Sequence, residues 1–209
     1  MVIKRRNRIA ALAFLSFSVV PLVHAITEVD VELQLLLDVS GSVNTSEYDM
    51  QLQGYANAFL DTDIQSTILD GTNGQIAVQL IMWSGSAQQE VMLDWTLLDS
   101  NLALNDFSSA ILEIARPFSG WTAPGSAIDY SYQTFASNEY QGLKQIIDVS
   151  GDGVINSGIS ADIAGGQALN AGIDTINGIV ITSDQAVIDY YQSDVIKGDG
   201  AFLMVAENY

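Results

Sequence analysis

The sequence predicts an α/β fold, in which a doubly wound, mostly parallel sheet has helices on both faces and one antiparallel edge strand. Three observations support this prediction. Apolar runs of strand length alternate with segments of helical periodicity over about 180 residues, the pattern of a parallel sheet covered on both sides. Several runs are apolar almost without interruption, as strands buried on both faces are. One pair of runs is joined by a tight connection, which indicates a hairpin and hence an antiparallel neighbour.

The first half of the chain predicts three strands and two helices. Asn44 and Glu47 are placed like a capping box at the start of the first helix, and Pro117 stops the second. In chain order the segments are strand 31–39, a helix from about residue 46, strands 76–83 and 89–95, and a helix around 107–115.

The second half begins with a glycine-flanked loop at 119–126, and Gly172 stands where a helix C-cap glycine belongs. Its segments are a helix around 127–135, strand 143–150, helix 160–171, strand 176–182, a short helix at 185–191 and strand 201–207. This fold class commonly has a helix after the last strand. We therefore expect either a missing C-terminal helix or a sheet face that is covered in another way.

Residues 1–25 predict a cleaved secretory signal peptide, which leaves 26–209 as a single domain. Four basic residues precede an apolar run at 9–20, and Val23-His24-Ala25 makes an acceptable cleavage site. We therefore expect an exported protein, periplasmic or extracellular, with no membrane insertion after cleavage. An uncleaved membrane anchor is the alternative.

The composition excludes several kinds of site. The single histidine, His24, lies in the predicted signal, and the chain has no cysteine. The mature protein therefore has no imidazole-based triad, no thiolate nucleophile, no disulfide and no zinc site of the usual nitrogen and sulfur kind. Oxygen ligands remain for a metal.

Charge favours cations as partners. The mature chain has 25 acidic residues against three basic ones, Arg116, Lys144 and Lys197, a formal net charge of −22. Such a surface repels nucleic acid and anionic membranes. Solubility or adaptation to a salty medium is the alternative explanation for most of these carboxylates.

Polar side chains collect where the predicted strands end. Asp38, Ser40 and Ser42 follow the first strand, Thr122 lies in the glycine-flanked loop, and Asp152 follows the fourth strand. Loops at the carboxyl ends of parallel strands open on one edge of the sheet, so these side chains should meet there. Carboxylate and hydroxyl oxygens suit a hard divalent cation. Each pattern alone also fits simple turn and N-cap chemistry.

Together, the motifs LDVSGSV, GWTAPGSAI and SGDG resemble the metal-ion-dependent adhesion site (MIDAS) of the von Willebrand factor A (vWA) domain family. The resemblance covers residues 31–206, and it implies a Rossmann-like fold. The segments MWSGSAQQEVMLDWT and AGIDTINGIVI look like a secreted bacterial subfamily. The resemblance implies that Ser40, Ser42 and Thr122 approach the ion directly or nearly so. It implies that Asp38 and Asp152 act largely through bound water.

The resemblance also implies a non-enzymatic binding module. Its cofactor would be Mg²⁺ or Mn²⁺, with Ca²⁺ less favoured, and its partner a protein or other ligand that offers a carboxylate to the metal. The alternatives are a metal-dependent hydrolase such as a phosphoesterase, a degenerate metal-free scaffold, or an acidic surface that acts as a calcium sponge or salt-adapted coat. Trp121, beside Thr122, is the tryptophan expected to contact a ligand, whereas Trp83 and Trp95 are expected in the core.

Overall fold

The computed structural model describes residues 26–206. The predicted signal peptide, with His24, lies outside the described residues, as do residues 207–209.

Within the described residues the sheet has seven strands, and most neighbouring strands are parallel. β1 is central and pairs in parallel with β2 on one side and β4 on the other, while β3 pairs antiparallel with β2. β5 pairs in parallel with β4 and β7, and antiparallel with the two-residue β6. The strands are β1 Thr27–Asp38, β2 Ile76–Trp83, β3 Gln89–Leu98, β4 Tyr140–Gly151, β5 Thr175–Ile181, β6 Lys197–Gly198 and β7 Leu203–Ala206.

The helices lie between the strands in sequence, which confirms the predicted α/β class. They are α1 Thr45–Leu60, α2 Thr62–Leu69, α3 Asn101–Leu112, α4 Pro124–Tyr132, α5 Ala161–Ala171 and α6 Gln185–Tyr190, with short 3-10 and π turns at Phe135–Ser137 and Tyr191–Val195. Within residues 26–206, none of them combines the length and the apolar character that crossing a membrane would require.

Two apolar cores lie on opposite faces of the sheet, and β1 contributes to both. Leu35 and Leu37 pack with α1 and α3, whereas Leu36 packs with α4 and α5. This alternation follows from the two-residue period of a strand. Trp83 is fully buried, as predicted, whereas Trp95 is only partly buried at the margin of the core.

Local signals fix the start of α1 as the sequence predicts. The Asn44 side chain accepts hydrogen bonds from the backbone N–H groups of Ser46 (2.9 Å) and Glu47 (3.1 Å). In return, the Glu47 carboxylate accepts one from the Asn44 N–H at 2.7 Å, which completes the capping box. This cap holds the chain directly after the β1 loop.

The chain order creates a switch point at the centre of the sheet. From β1 the chain continues to β2 on one side and later to β4 on the other. The loops that follow β1 and β4 therefore diverge to opposite faces and leave a crevice between them. Open α/β sheets bind ligands at such a crevice.

Candidate metal site at the carboxyl edge of the sheet

The loops after β1 and β4 meet at this crevice through hydroxyl and carboxylate groups. The Ser40 and Ser42 hydroxyls are hydrogen-bonded at 3.1 Å, and the Ser42 hydroxyl donates to Asp152 Oδ1 at 2.6 Å. Three of the five residues singled out in the sequence therefore form one connected cluster. Asp152 is half-buried, whereas Ser42 is exposed, so the cluster is open to solvent on one side.

Asp38 lies beneath this cluster and is fully buried. Its Oδ1 accepts a hydrogen bond from the Ser40 N–H at 2.7 Å, whereas its buried Oδ2 accepts none from the described residues. Burial, the main cause, raises the pKa of the Asp38 carboxyl to about 7, with a further contribution from the Asp152 charge; the hydrogen bond from Ser40 opposes both. An unpartnered, buried carboxylate oxygen beside a second carboxylate favours a bound cation.

Thr122 is buried and is fixed from two directions. Its N–H donates to Asn156 Oδ1 at 2.7 Å, and its carbonyl accepts from the Asn156 N–H at 3.0 Å. The next residue, Ala123, donates its N–H to the Ser84 carbonyl at 3.0 Å, at the end of β2. A Cβ atom built on Gly153 would lie 3.7 Å from Thr122 Oγ1, so this hydroxyl adjoins the Asp152 loop.

Glycines allow the close approach of these segments. The Gly41 N–H donates to the Gly120 carbonyl at 2.8 Å and joins the β1 loop to the Thr122 loop. A Cβ atom on Gly151 would lie 2.9 Å from Asp38 Oδ2, too close for an ordinary contact. Gly151 therefore lets β4 pass directly beside the buried carboxylate.

The pKa of Asp152, the second carboxylate of the cluster, is also shifted by its surroundings. Burial raises the pKa of Asp152, the hydrogen bond from Ser42 lowers it, and the nearby Glu47 charge raises it. Asp148, a carboxylate four residues earlier in β4, is not part of the cluster; it accepts a hydrogen bond from Asn177 Nδ2 of β5 at 2.8 Å.

Sequence reasoning missed the residues that support the candidate ligands. Asn156 orients Thr122, and Gln51 of α1 donates to the Asp38 carbonyl at 3.3 Å. Asn156 follows Asp152 by four residues in the same loop, but an asparagine in a glycine-rich loop is ordinary turn chemistry. Only the packing of two distant loops shows its role.

The donor set fits a hard divalent ion. Hydroxyl and carboxylate oxygens supply it, with no nitrogen or sulfur side chain. Residues 26–206 contain no cluster of three or more His, Cys, Asp or Glu side chains that could hold a metal. The candidate site has two carboxylates, so binding there would depend on the hydroxyls of Ser40, Ser42 and Thr122.

A family model described as "Protein of unknown function (DUF1194)" matches residues 28–209. No curated protein matches the chain.

Among solved structures, proximal thread matrix protein 1 from the mussel byssus has a similar fold. Its structure with a zinc-occupied MIDAS motif is 17% identical, with a TM-score of 0.66, and the match covers 88% of this chain and 45% of that one. A second crystal form gives 14% identity and a TM-score of 0.65, over 88% of this chain and 45% of that one. The chain thus spans less than half of the mussel protein.

An aerotolerance-related membrane protein from Bacteroides fragilis NCTC 9343, carrying multiple mutations to serine, is 17% identical with a TM-score of 0.52. The match covers 85% of this chain and 92% of that one. At these identities the likeness establishes the fold, which is vWA-like.

Proposed function

This chain belongs to the DUF1194 family, and we propose that it is a non-enzymatic binding module that works through a divalent cation. Asp38, Ser40, Ser42, Thr122 and Asp152 would hold the ion. A carboxylate from a protein or other ligand would complete its coordination.

One observation carries the proposal. The Ser42 hydroxyl bridges Ser40 and Asp152, which are 112 residues apart, directly above a buried carboxylate whose Oδ2 has no donor among the described residues. Folding has brought two carboxylates together without a basic side chain between them. A divalent cation would relieve their repulsion and supply the missing partner.

Mg²⁺ or Mn²⁺ is the proposed ion. Both accept oxygen ligands, and Mg²⁺ usually keeps several waters. Neutral hydroxyls compensate less of the ion's charge than carboxylates would, so a bound ion stays attractive to an outside carboxylate. The MIDAS motif of the mussel protein holds zinc, which supports a divalent ion of some kind at the corresponding place in this fold.

The distribution of basic side chains favours binding over phosphoryl hydrolysis. Lys144 pairs with Asp174 at 2.8 Å, and Lys197 pairs with Asp162 at 2.7 Å, both away from the site. The Arg116 guanidinium donates to main-chain carbonyls. Among residues 26–206, no basic group is therefore directed at a phosphate bound at Asp152, although phosphoryl transfer relies on such groups.

Thermal unfolding in the presence of Mg²⁺ or Mn²⁺ tests the proposal. An ion that binds only the folded protein adds about 2.7 kcal/mol of stability at 100 times its Kd. For a domain of this size that corresponds to a rise in Tm of roughly 5 to 10 °C. We expect this rise in the wild type and its loss in Asp38→Ala and Thr122→Ala.

Asp148→Asn is the matched control, because it changes a partly buried carboxylate of β4 that accepts from Asn177 and is not part of the cluster. It should keep the ion-dependent rise. A wild type whose Tm is unmoved by millimolar ion, or an equal rise in Asp38→Ala, refutes the proposed site.

Export to the periplasm or the extracellular space is part of the proposal. N-terminal sequencing of the protein recovered from the native cell envelope or medium tests it. The expected first residue is Ile26, and a chain that still begins at Met1 contradicts cleavage.

A further inference from the structure

Arg116 makes an unusual set of contacts. It lies in the segment between α3 and α4, and its side chain is partly buried. Nη2 donates to the carbonyls of Val39 and Ser40, both at 2.7 Å, and Nη1 donates to the Val43 carbonyl at 2.8 Å. Nε donates to the Phe118 carbonyl at 3.2 Å. All four bonds are to the main chain.

These bonds tie together two of the loops that form the candidate site. Three of them go to residues 39–43, the turn that carries the Ser40 and Ser42 hydroxyls. The fourth goes to the loop that carries Thr122 four residues later. A guanidinium is planar and presents its donors in a fixed fork, so one side chain can set the relative positions of several carbonyls.

Arg116 is itself held in place. Its Cζ lies 5.8 Å from the centre of the Tyr48 ring on α1. The Tyr48 hydroxyl donates to the Ile114 carbonyl at 2.9 Å, near the start of the Arg116 segment. The arginine is therefore fixed between α1 and its own loop, which gives it the rigidity that a positioning role requires.

We infer that Arg116 is a positioning residue of the proposed ion site. It holds the turn 39–43 and the Thr122 loop in the arrangement in which the serine hydroxyls face Asp152, before any ion binds. The inference rests on the proposed function, and it deepens that function by assigning the organisation of the site to a side chain that does not touch the ion.

Charge and positioning predict opposite effects when this arginine is replaced. A positive charge close to the site repels a cation, so its removal would by itself tighten ion binding. Loss of the four bonds would loosen the turn, and changes to groups that orient metal ligands typically weaken affinity about 10- to 100-fold. Tighter ion binding after the replacement would therefore indicate that the charge of Arg116 dominates, and weaker binding would indicate that its positioning role dominates.

The test measures the Mn²⁺ dissociation constant from the electron paramagnetic resonance signal of the free ion, at physiological ionic strength. For Arg116→Met we expect binding about 10- to 100-fold weaker than in the wild type. Arg116→Lys should fall between them, because an ammonium can still donate to some of these carbonyls but lacks the planar fork that reaches all of them. Lys144→Met removes the same charge at a remote ion pair, and should leave affinity within about twofold.

A second readout needs no metal. In EDTA, hydrogen exchange of the backbone amides in residues 39–43 should be faster in Arg116→Met than in the wild type, and unchanged in Lys144→Met. A lower overall stability of Arg116→Met does not by itself support the inference, since any partly buried contact can cause it.

The outcomes are distinguishable. If the wild type shows no saturable Mn²⁺ binding, the proposed function is refuted. Hydrogen exchange in EDTA still decides, in that case, whether Arg116 fixes the turn 39–43. Wild type that binds, together with an Arg116→Met variant that binds equally or more tightly and exchanges normally, overturns the inference alone. If Arg116→Met does not fold, Arg116→Lys provides the test. The inference is then overturned if this variant binds Mn²⁺ with the wild-type affinity and exchanges the amides of residues 39–43 at the wild-type rate.

Discussion

Replacing Asp38 by asparagine should stabilise the metal-free protein at neutral and alkaline pH, even though it removes a proposed site residue. The Asp38 carboxyl is fully buried, and one of its oxygens accepts no hydrogen bond from the described residues. Its pKa is raised from 3.8 to about 7. At about 1.4 kcal/mol for each pKa unit, ionising it in the folded protein costs about 4 kcal/mol more than in the unfolded chain.

The direction of this effect on stability follows from the coupling between protonation and folding. A carboxyl whose pKa is higher in the folded state than in the unfolded state destabilises the fold once it ionises. Below about pH 4 the group is protonated in both states, and the penalty is absent. It grows as the pH rises from about 4 to 7, and it is fully present above the folded pKa of about 7.

Asparagine has no charge to bury, but it weakens the bond that the Ser40 N–H makes with Oδ1. A hydrogen bond to a charged group contributes about 1.5 to 3 kcal/mol, and a neutral acceptor keeps part of that. We therefore expect a net gain of about 1 to 3 kcal/mol for Asp38→Asn at pH 8, and no gain at pH 4.

Urea unfolding in EDTA at pH 4, 6 and 8 measures this gain. Millimolar Mn²⁺ at pH 8 should then stabilise the wild type and leave Asp38→Asn unchanged. The reasoning is refuted if the variant is less stable than the wild type by the same amount at every pH, because a buried ionised carboxylate would then carry no penalty.

Three further substitutions separate the proposed ion site from the rest of the fold. Asn156→Ala removes the acceptor of the Thr122 N–H, and should cost about 1 to 3 kcal/mol and weaken Mn²⁺ binding in a titration. Gly151→Ala places a methyl group against the Tyr191 hydroxyl and 2.9 Å from Asp38 Oδ2, and should lower stability in urea by about 1 to 3 kcal/mol. Asp61→Ala removes the N-cap of α2, and should cost about 0.5 to 2 kcal/mol while Mn²⁺ affinity stays at the wild-type value.

Most of the fold was predictable from patterns of residues that are close together in the sequence. The apolar runs, the hairpin, the capping box at Asn44 and the C-cap at Gly172, which has a left-handed φ of 115°, are all present in the structure. Each depends on residues close together in sequence. The crevice was also predictable, because parallel strands end at a common edge.

Several other features that depend on distant residues were not predictable. β1 begins at Thr27, earlier than its apolar run, because Thr27 and Glu28 pair with the first residues of β4. Glu32 is fully buried within this strand, where Asn138, Gly142 and Gln145 donate to its carboxylate. Such a burial has no local signal.

The helix α2 was missed for a different reason. Asp61 ends α1 and also caps α2, accepting from the Asp63 N–H at 2.9 Å and the Ile64 N–H at 3.2 Å. The eight-residue α2 has a single buried side chain, Gln65, so no buried apolar face marks it in the sequence. In the candidate site, the sequence predicted that Ser40, Ser42 and Asp152 would meet. It did not predict the supporting contacts of Asn156 and Gln51. Ion binding there stays a prediction.

The long separation along the chain between the parts of the site bears on folding kinetics. Ser42 and Asp152 are 110 residues apart in sequence, and they meet only after β1 and β4 have paired. Contacts of such high contact order form slowly, because a long loop must close first. If this pairing is completed after the folding transition state, a bound ion would slow unfolding and leave the refolding rate nearly unchanged. The ion would then control how long the native state survives more than how fast it forms.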